Sequence, residues 1–122
     1  MKFTKEHEWV ELSGNTATMG ITDYAQGHLG DVVSIDLPKI GKKVKQFEEM
    51  AIIDSMKASS PVYAPVSGEV IEVNKELEGS PQLVNESPQR KGWIAKLKIA
   101  SAKEMDNLMG EEEYRKFVEG LK

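Results

Sequence analysis

The chain has 122 residues, 39% of them hydrophobic and 30% charged, a composition that excludes a disordered chain and fits one folded domain with a modest core. Twenty acidic against sixteen basic residues leave a net charge of −4, which argues against non-specific binding to nucleic acid and suits a carrier that docks on larger partners. Cysteine is absent, so disulfides, thiolate nucleophiles and Cys-bound metals are excluded, and any redox chemistry must come from an added group.

No apolar run approaches the ~20 residues of a membrane span. Met1 to Glu8 is short and mixes both charges, unlike a signal or transit peptide, so the expectation is a cytoplasmic protein made at mature length. Trp9 to Leu12 reads as a strand with Val10 and Leu12 on one face. Ser13-Gly14-Asn15 is a turn cluster, and Thr16 to Ile21 returns as a strand with Ala17, Met19 and Ile21 facing inward. Thr22 can cap a helix running to about Leu29, with Asp23 in its first turn and Gly30 as a left-handed stop. Tyr24, His28 and the adjacent Leu29 fall near one face of it. In the strand that follows, Val33, Ile35 and Leu37 are expected to point one way, Ser34 and Asp36 the other; Pro38 ends it.

From Lys42 to Val73 two loosely similar halves flank one lysine. Lys43-Val44-Lys45 and Glu49 to Ile53 lead in; Pro61 to Val66 and Gly68 to Val73 lead out. Asp54-Ser55-Met56-Lys57-Ala58-Ser59-Ser60 lies between, so the pattern is a hairpin over about 49–66 with Lys57 at its tip, held clear of the body. Gly68 is read as a turn needing unusual backbone angles, so that a valine there should distort the hairpin mount. By itself Lys57 would be an ordinary solvated turn residue; it is also an exposed amine on a rigid mount, suited to attachment of a long cofactor arm. Residues 74–89 form a long polar connection, with one helical turn starting near Pro81. Trp93, Ala95, Leu97 and Ile99 are expected inside on the next strand. The tail is helical over about 101–121: Ser101 to Glu104 fits a capping box, Met105, Leu108 and Met109 follow at helical spacing, and Tyr114, Phe117, Val118 and Leu121 make a second stripe, read as core packing. The whole is mainly β, a β-sandwich or flattened barrel with short peripheral helices.

No self-contained catalytic site emerges. Two histidines, His7 and His28, cannot make a three-His metal site, and His7-Glu8 is not the two-His zinc helix motif. No serine stands in a nucleophile elbow, no glycine-rich phosphate loop occurs, and Glu48-Glu49 reads as solvated surface charge. A non-catalytic carrier, needing one amine and a docking surface, fits better.

Asp54-Ser55-Met56-Lys57-Ala58 resembles the lipoyl-lysine hairpin. With Tyr63 to Asn74, His7-Glu8-Trp9-Val10, Gly20 to Gln26, Leu29 to Val33, Leu83-Val84-Asn85 and Gly92-Trp93, the chain resembles the glycine cleavage system H proteins over nearly its full length. The resemblance implies a lipoyl/biotinyl hammerhead sandwich (a barrel-sandwich hybrid) forming a single domain over 1–122. It implies lipoate in amide linkage to Lys57, presented by Asp54, Ser55, Met56, Ala58 and Gly68. It implies a shuttle that takes the aminomethyl group of glycine from a pyridoxal-phosphate glycine decarboxylase to a tetrahydrofolate-dependent aminomethyltransferase. Dihydrolipoamide dehydrogenase then reoxidises the arm, and a lipoate ligase or octanoyltransferase attaches it. The carrier is expected to be a monomer that binds neither nucleic acid nor membrane. The aminomethyl cargo is hydrolytically fragile, and the resemblance places the carboxylate that shelters its cationic nitrogen at Glu8, with His28 and Ile21 as further sheltering candidates. On its own, Glu8 reads as readily as a solvated strand-end charge.

The chain departs from the family pattern at several points. Asp54 replaces the usual Glu; Pro61 stands where an acidic residue is common, four after the lysine; Gln46 lies near a common glycine; and Pro88 to Gly92 is basic instead of carrying a tyrosine and an acid. Pro61 and the basic segment 89–91 leave open an H-like lipoyl carrier serving lipoyl relay or another pathway, such as sulfur oxidation. A biotin carrier is the other reading, disfavoured because Ala58 replaces the second of the two methionines that usually flank biotinyl lysine. An interaction module whose lysine is never modified completes the alternatives.

Overall fold

A computed structural model describes residues 1–121. Among them, strands β1 (Lys2–Phe3), β2 (Glu8–Ser13), β3 (Thr16–Ile21), β4 (Val32–Asp36), β5 (Lys43–Val44), β6 (Glu49–Ser55), β7 (Ser59–Tyr63), β8 (Gly68–Val73) and β9 (Ala95–Ile99) pair antiparallel throughout. One sheet has the order β1-β2-β3-β9-β8-β5, the other β4-β6-β7, and neither closes into a barrel. Val10, Met19, Val70 and Leu97 of the first sheet and Ile53 and Val62 of the second are fully buried in one shared core. The architecture is therefore the sandwich.

The helices are short: α1 (Asp23–Leu29), α2 (Glu76–Gly79), α3 (Leu83–Glu86) and α4 (Glu111–Leu121), with a 3-10 turn at Ala102–Asn107. None of the described helices is long and apolar enough to cross a membrane. The boundaries of α1 follow from its capping chemistry. Thr22 Oγ1 accepts the Ala25 N–H, and Gly30, at φ 77°, donates its N–H to Gln26 O. The two halves around the lysine nest: β6 pairs with β7 inside, and β5 pairs with β8 outside. Pro61 is tolerated within β7 because that strand is a sheet edge, where a missing N–H disrupts no ladder.

Five expectations are corrected. Val33 is 50% exposed and Val32 is buried, because the β4–β6 register shifts between Val32 and Ser34 and turns the strand over by one residue. Trp93 is half-buried and Ile94 fully buried, since the ladder begins only at Ala95; Lys96 lies over the Trp93 ring at 5.1 Å. Ser101 does cap, accepting the Lys103 N–H, but Glu104 does not reach back to it. Glu104 instead accepts from Ser67 N–H (2.6 Å) and Ser67 Oγ (2.7 Å), so Leu108 and Met109 leave the helix and Met109 bridges to Phe3. Leu121 is 49% exposed at the end of α4, while Tyr114, Phe117 and Val118 pack.

Gly68 is the fifth. It begins β8 in ordinary backbone geometry, buried against β9. Its requirement is close approach: a Cβ there would stand 2.4 Å from the Lys98 carbonyl oxygen, deep inside contact distance and against backbone. Gly68→Val is therefore expected to lower stability by about 1–3 kcal/mol through overpacking. A chemical-denaturation midpoint unchanged from the parent would refute the account.

Candidate functional site

The β6–β7 hairpin carries Lys57 at its tip, and the residues around it each close part of the turn. Ser55 N–H donates to Ala58 O (2.9 Å), and Ser55 Oγ accepts from the N–H groups of Lys57 and Ala58, both at 3.3 Å. Asp54 is bracketed, accepting Ser34 Oγ–H on one oxygen (3.1 Å) and Ser59 Oγ–H on the other. The carboxylate thus ties three strands together directly beneath the lysine, which Glu or Asp can do. Met56 is 74% exposed and its backbone N–H donates to Asp31 O (3.0 Å). Lys57 is exposed, but its stem is not clear of the body: a Cβ on Gly30 would stand 3.4 Å from Lys57 Cε. The tip leans on the C-terminal end of α1.

Beside that end opens a cleft of about 500 Å³ between α1 and β7. It brings together all three residues anticipated as shelter, Glu8, Ile21 and His28, with Leu29, Pro61 and Tyr63. A larger groove of about 860 Å³ lies beyond the β1–β2 loop and is lined by no residue of the tip or of α1. Pro61 presents its ring to the smaller cleft where an acidic residue would have offered a carboxylate.

Glu8 is 2% exposed, which overturns its reading as a solvated charge. Thr4 Oγ1 donates to Oε1, Tyr63 N–H donates to Oε2 (3.2 Å), and the Glu8 N–H in turn bonds Thr4 Oγ1 (3.0 Å). Burial pushes its carboxyl up to about 7, and the bonds from Thr4 and Tyr63 only partly offset this. The carboxyl is nearly sealed from solvent, holds its proton to higher pH than a free carboxyl group, and is fixed in place facing a cleft. Removal of water strengthens any cation bond it makes there.

Several supporting roles were not read from the sequence. Asn85 on α3 accepts the Val32 N–H (2.8 Å) and donates to Gly30 O (2.8 Å), so it braces the ledge on which Lys57 rests. Gly30 was read as a helix stop, and its second use as that ledge has no local signature. His7 sits at φ 70°, in the left-handed region that non-glycine residues rarely occupy, and lines the cleft. Gln46 in place of a glycine has its own purpose: its Nε2 donates to Pro65 O and Glu104 O, both at 3.0 Å, and its Oε1 accepts from Asn107, clamping the 3-10 turn onto the sandwich. Arg90 and Lys91 line a separate concave face with Trp93 and Lys96, away from the cleft.

A family model described as glycine cleavage H-protein matches residues 1–120. The glycine cleavage system H protein of Xanthobacter autotrophicus is 53% identical over 121 residues, covering 99% of this chain and 97% of its own. That of Caulobacter vibrioides is 54% identical over 118 residues, covering 97% and 98%. Among solved structures, the crystal structure of a glycine cleavage system H protein from Mycobacterium marinum matches with a TM-score of 0.86 at 29% identity, over 94% of this chain and 93% of the other. Sandwich, hairpin, cleft and full-length similarity agree, and the chain belongs to the glycine cleavage H-protein family.

Proposed function

We propose that this protein is a lipoyl carrier of the glycine cleavage system, working as one domain and as a monomer in the cytoplasm, with lipoate in amide linkage to Lys57. The observation that carries the reading is the juxtaposition of an exposed lysine at a braced hairpin tip with a cleft whose floor is a dry carboxyl. The residues fit such a group: the apolar side chains of Ile21, Leu29, Ile53 and Val62 suit an acyl arm, and Glu8 is the acceptor for a cation at its end. When bound, the lipoyl group supplies a redox-active disulfide on a long tether, which accepts the aminomethyl group of glycine. The chain's own residues do the rest. Asp54 and Ser55 hold the turn so that Lys57 projects; Gly30 leaves room for its stem; Ile21 and His28 wall the cleft; Glu8 would accept a bond from a cationic nitrogen at the end of the arm. The partners are the pyridoxal-phosphate glycine decarboxylase, the tetrahydrofolate-dependent aminomethyltransferase, dihydrolipoamide dehydrogenase and the lipoate ligase or octanoyltransferase. Tethering raises effective concentration as the carrier docks on each in turn.

A second reading, a lipoyl donor to other proteins, is favoured by one observation: Pro61 leaves the hairpin wall of the cleft without a carboxylate. One experiment separates the two. The protein is lipoylated with a lipoate ligase, lipoate and ATP, then incubated with glycine and glycine decarboxylase, and its intact mass is followed. The expected result is one lipoyl addition, mapping to the Lys57 peptide, followed by a glycine-dependent second increment. A lipoylated protein that gains nothing from glycine supports the second reading, and an unmodified Lys57 refutes both.

A further inference from the structure

His7, Tyr114 and Thr22 form a chain of hydrogen bonds behind the cleft. His7 Nδ1 and Tyr114 Oη are 2.8 Å apart, and Tyr114 Oη and Thr22 Oγ1 are 2.8 Å apart. Three elements meet there: the left-handed residue before β2, the cap of α1, and α4. The direction of the protons follows from counting. Thr22 is 1% exposed, and its Oγ1 has two partners among the described residues, the Ala25 N–H and Tyr114 Oη. The Ala25 N–H can only donate, so the Thr22 proton has one place to go, Tyr114 Oη. The Tyr114 proton must then go to His7 Nδ1. A neutral His7 with Nδ1 as acceptor carries its proton on Nε2.

Nε2 has no partner among the described residues, and none of their buried side-chain nitrogens or oxygens is left unpaired, so Nε2 is open to solvent. The ring lines the cleft, its centroid 4.6 Å from that of Tyr24 in a tilted contact, and Tyr24 in turn packs at a tilt against His28 at 4.3 Å. We propose that Tyr114 is a positioning residue for the arm cleft: its hydroxyl fixes His7 with the Nε2–H exposed, so the cleft offers one hydrogen-bond donor beside the Glu8 acceptor. This rests on the reading of the cleft as the seat of a lipoyl arm. An arm end bearing sulfur and a cationic nitrogen carries an acceptor on the sulfur and N–H donors on the nitrogen, and such a pair of groups complements it. Burial lowers the tendency of His7 to protonate, which keeps the ring neutral and avoids repelling a cation.

The test is the ring-nitrogen NMR spectrum of His7 in ¹⁵N-histidine-labelled protein at neutral pH, before and after lipoylation. The parent is expected to show the Nε2–H tautomer, with an Nε2 signal that moves on lipoylation and stays put in Lys57→Arg protein put through the same treatment. Tyr114→Phe keeps the ring stacked on Phe3, 4.5 Å away, but removes the hydroxyl, and its Nδ1 and Nε2 signals should move towards each other as both tautomers populate. Thr22→Ser keeps the hydroxyl that donates to Tyr114 and should keep the parent pattern. An Nδ1–H tautomer in the parent, or a Tyr114→Phe spectrum that superimposes on it, overturns the proton assignment. The expected tautomer with an Nε2 signal indifferent to lipoylation overturns the donor's use by the arm, while the mass experiment above still reports whether Lys57 is the attachment site.

Discussion

Lys57→Arg protein should take up no lipoate under conditions that modify the parent completely, and should support no glycine-dependent mass increment, while unfolding at the same denaturant concentration. The chemical half of this expectation is simple. Acylation needs a neutral primary amine as nucleophile, and a guanidinium stays protonated at any working pH. The structural half rests on exposure. Lys57 makes no side-chain hydrogen bond or ion pair among the described residues, and its stem lies against Gly30, a contact that the methylenes of arginine can reproduce. The turn itself is closed by Ser55, Ala58 and Asp54 and does not use the lysine side chain. A surface change of this kind stays within about 0.5 kcal/mol of the parent. The chain has many other exposed lysines, so the variant also asks whether presentation at the tip is what a ligase reads. Lipoate appearing on another lysine of the variant would show that it is not.

The sequence carried most of the frame wherever local chemistry decides. The turn at Ser13-Gly14-Asn15, the Thr22 cap and Gly30 stop of α1, and the inward set Ala17, Met19 and Ile21 on β3 each involve residues within a few positions of one another, and they stand where local rules put them. It failed where the deciding partner is remote. Nothing near Val33 signals that the strand turns over, because the shift is imposed by pairing with Asp54 and Ser55. Ser101 and Glu104 have capping-box spacing, yet Ser67 offers Glu104 two donors from another part of the chain and wins. Gly68 was recognised as necessary for the wrong reason, since a neighbouring strand's carbonyl is invisible in sequence. The site divides the same way. The hairpin tip was legible as a motif, and the resemblance named Glu8, Ile21 and His28, which the fold gathers on one cleft. That Glu8 would be dry was not legible. Its burial depends on the β1–β2 loop bringing Thr4 over it and on Tyr63 closing from β7, fifty-five positions away. The His7 conformation that lets the ring face the cleft likewise has no sequence marker.

Glu8→Gln should make the unloaded protein more stable at alkaline pH and the loaded protein worse at its task. The sign follows from linkage. Burial raises the Glu8 carboxyl from 4.5 to about 7 in the folded protein, so the folded state holds a proton that the unfolded chain releases near pH 4.5. The parent is therefore at full stability, as far as this group goes, below pH 4.5, and loses stability as pH rises through about 7. At about 1.4 kcal/mol per pH unit, the span from 4.5 to about 7 amounts to roughly 3 kcal/mol, an upper figure for a site that can relax. Glutamine does not titrate, and its carbonyl oxygen can still accept the Tyr63 N–H. The stability difference between Glu8→Gln and the parent should thus grow in the variant's favour between pH 4.5 and 8, by up to about 3 kcal/mol, read from denaturation midpoints across that range. A difference that does not change with pH would mean that Glu8 is hydrated in solution. On the proposed reading, a charge-assisted bond of about 1.5–3 kcal/mol from the aminomethyl nitrogen offsets a cost of that size. The variant should accept lipoate and cargo normally, yet lose the cargo about tenfold faster or more in buffer lacking the transferase. Equal lifetimes in parent and variant would rule out that role, and the stability measurement would then stand alone as the signature of a buried acid without a partner.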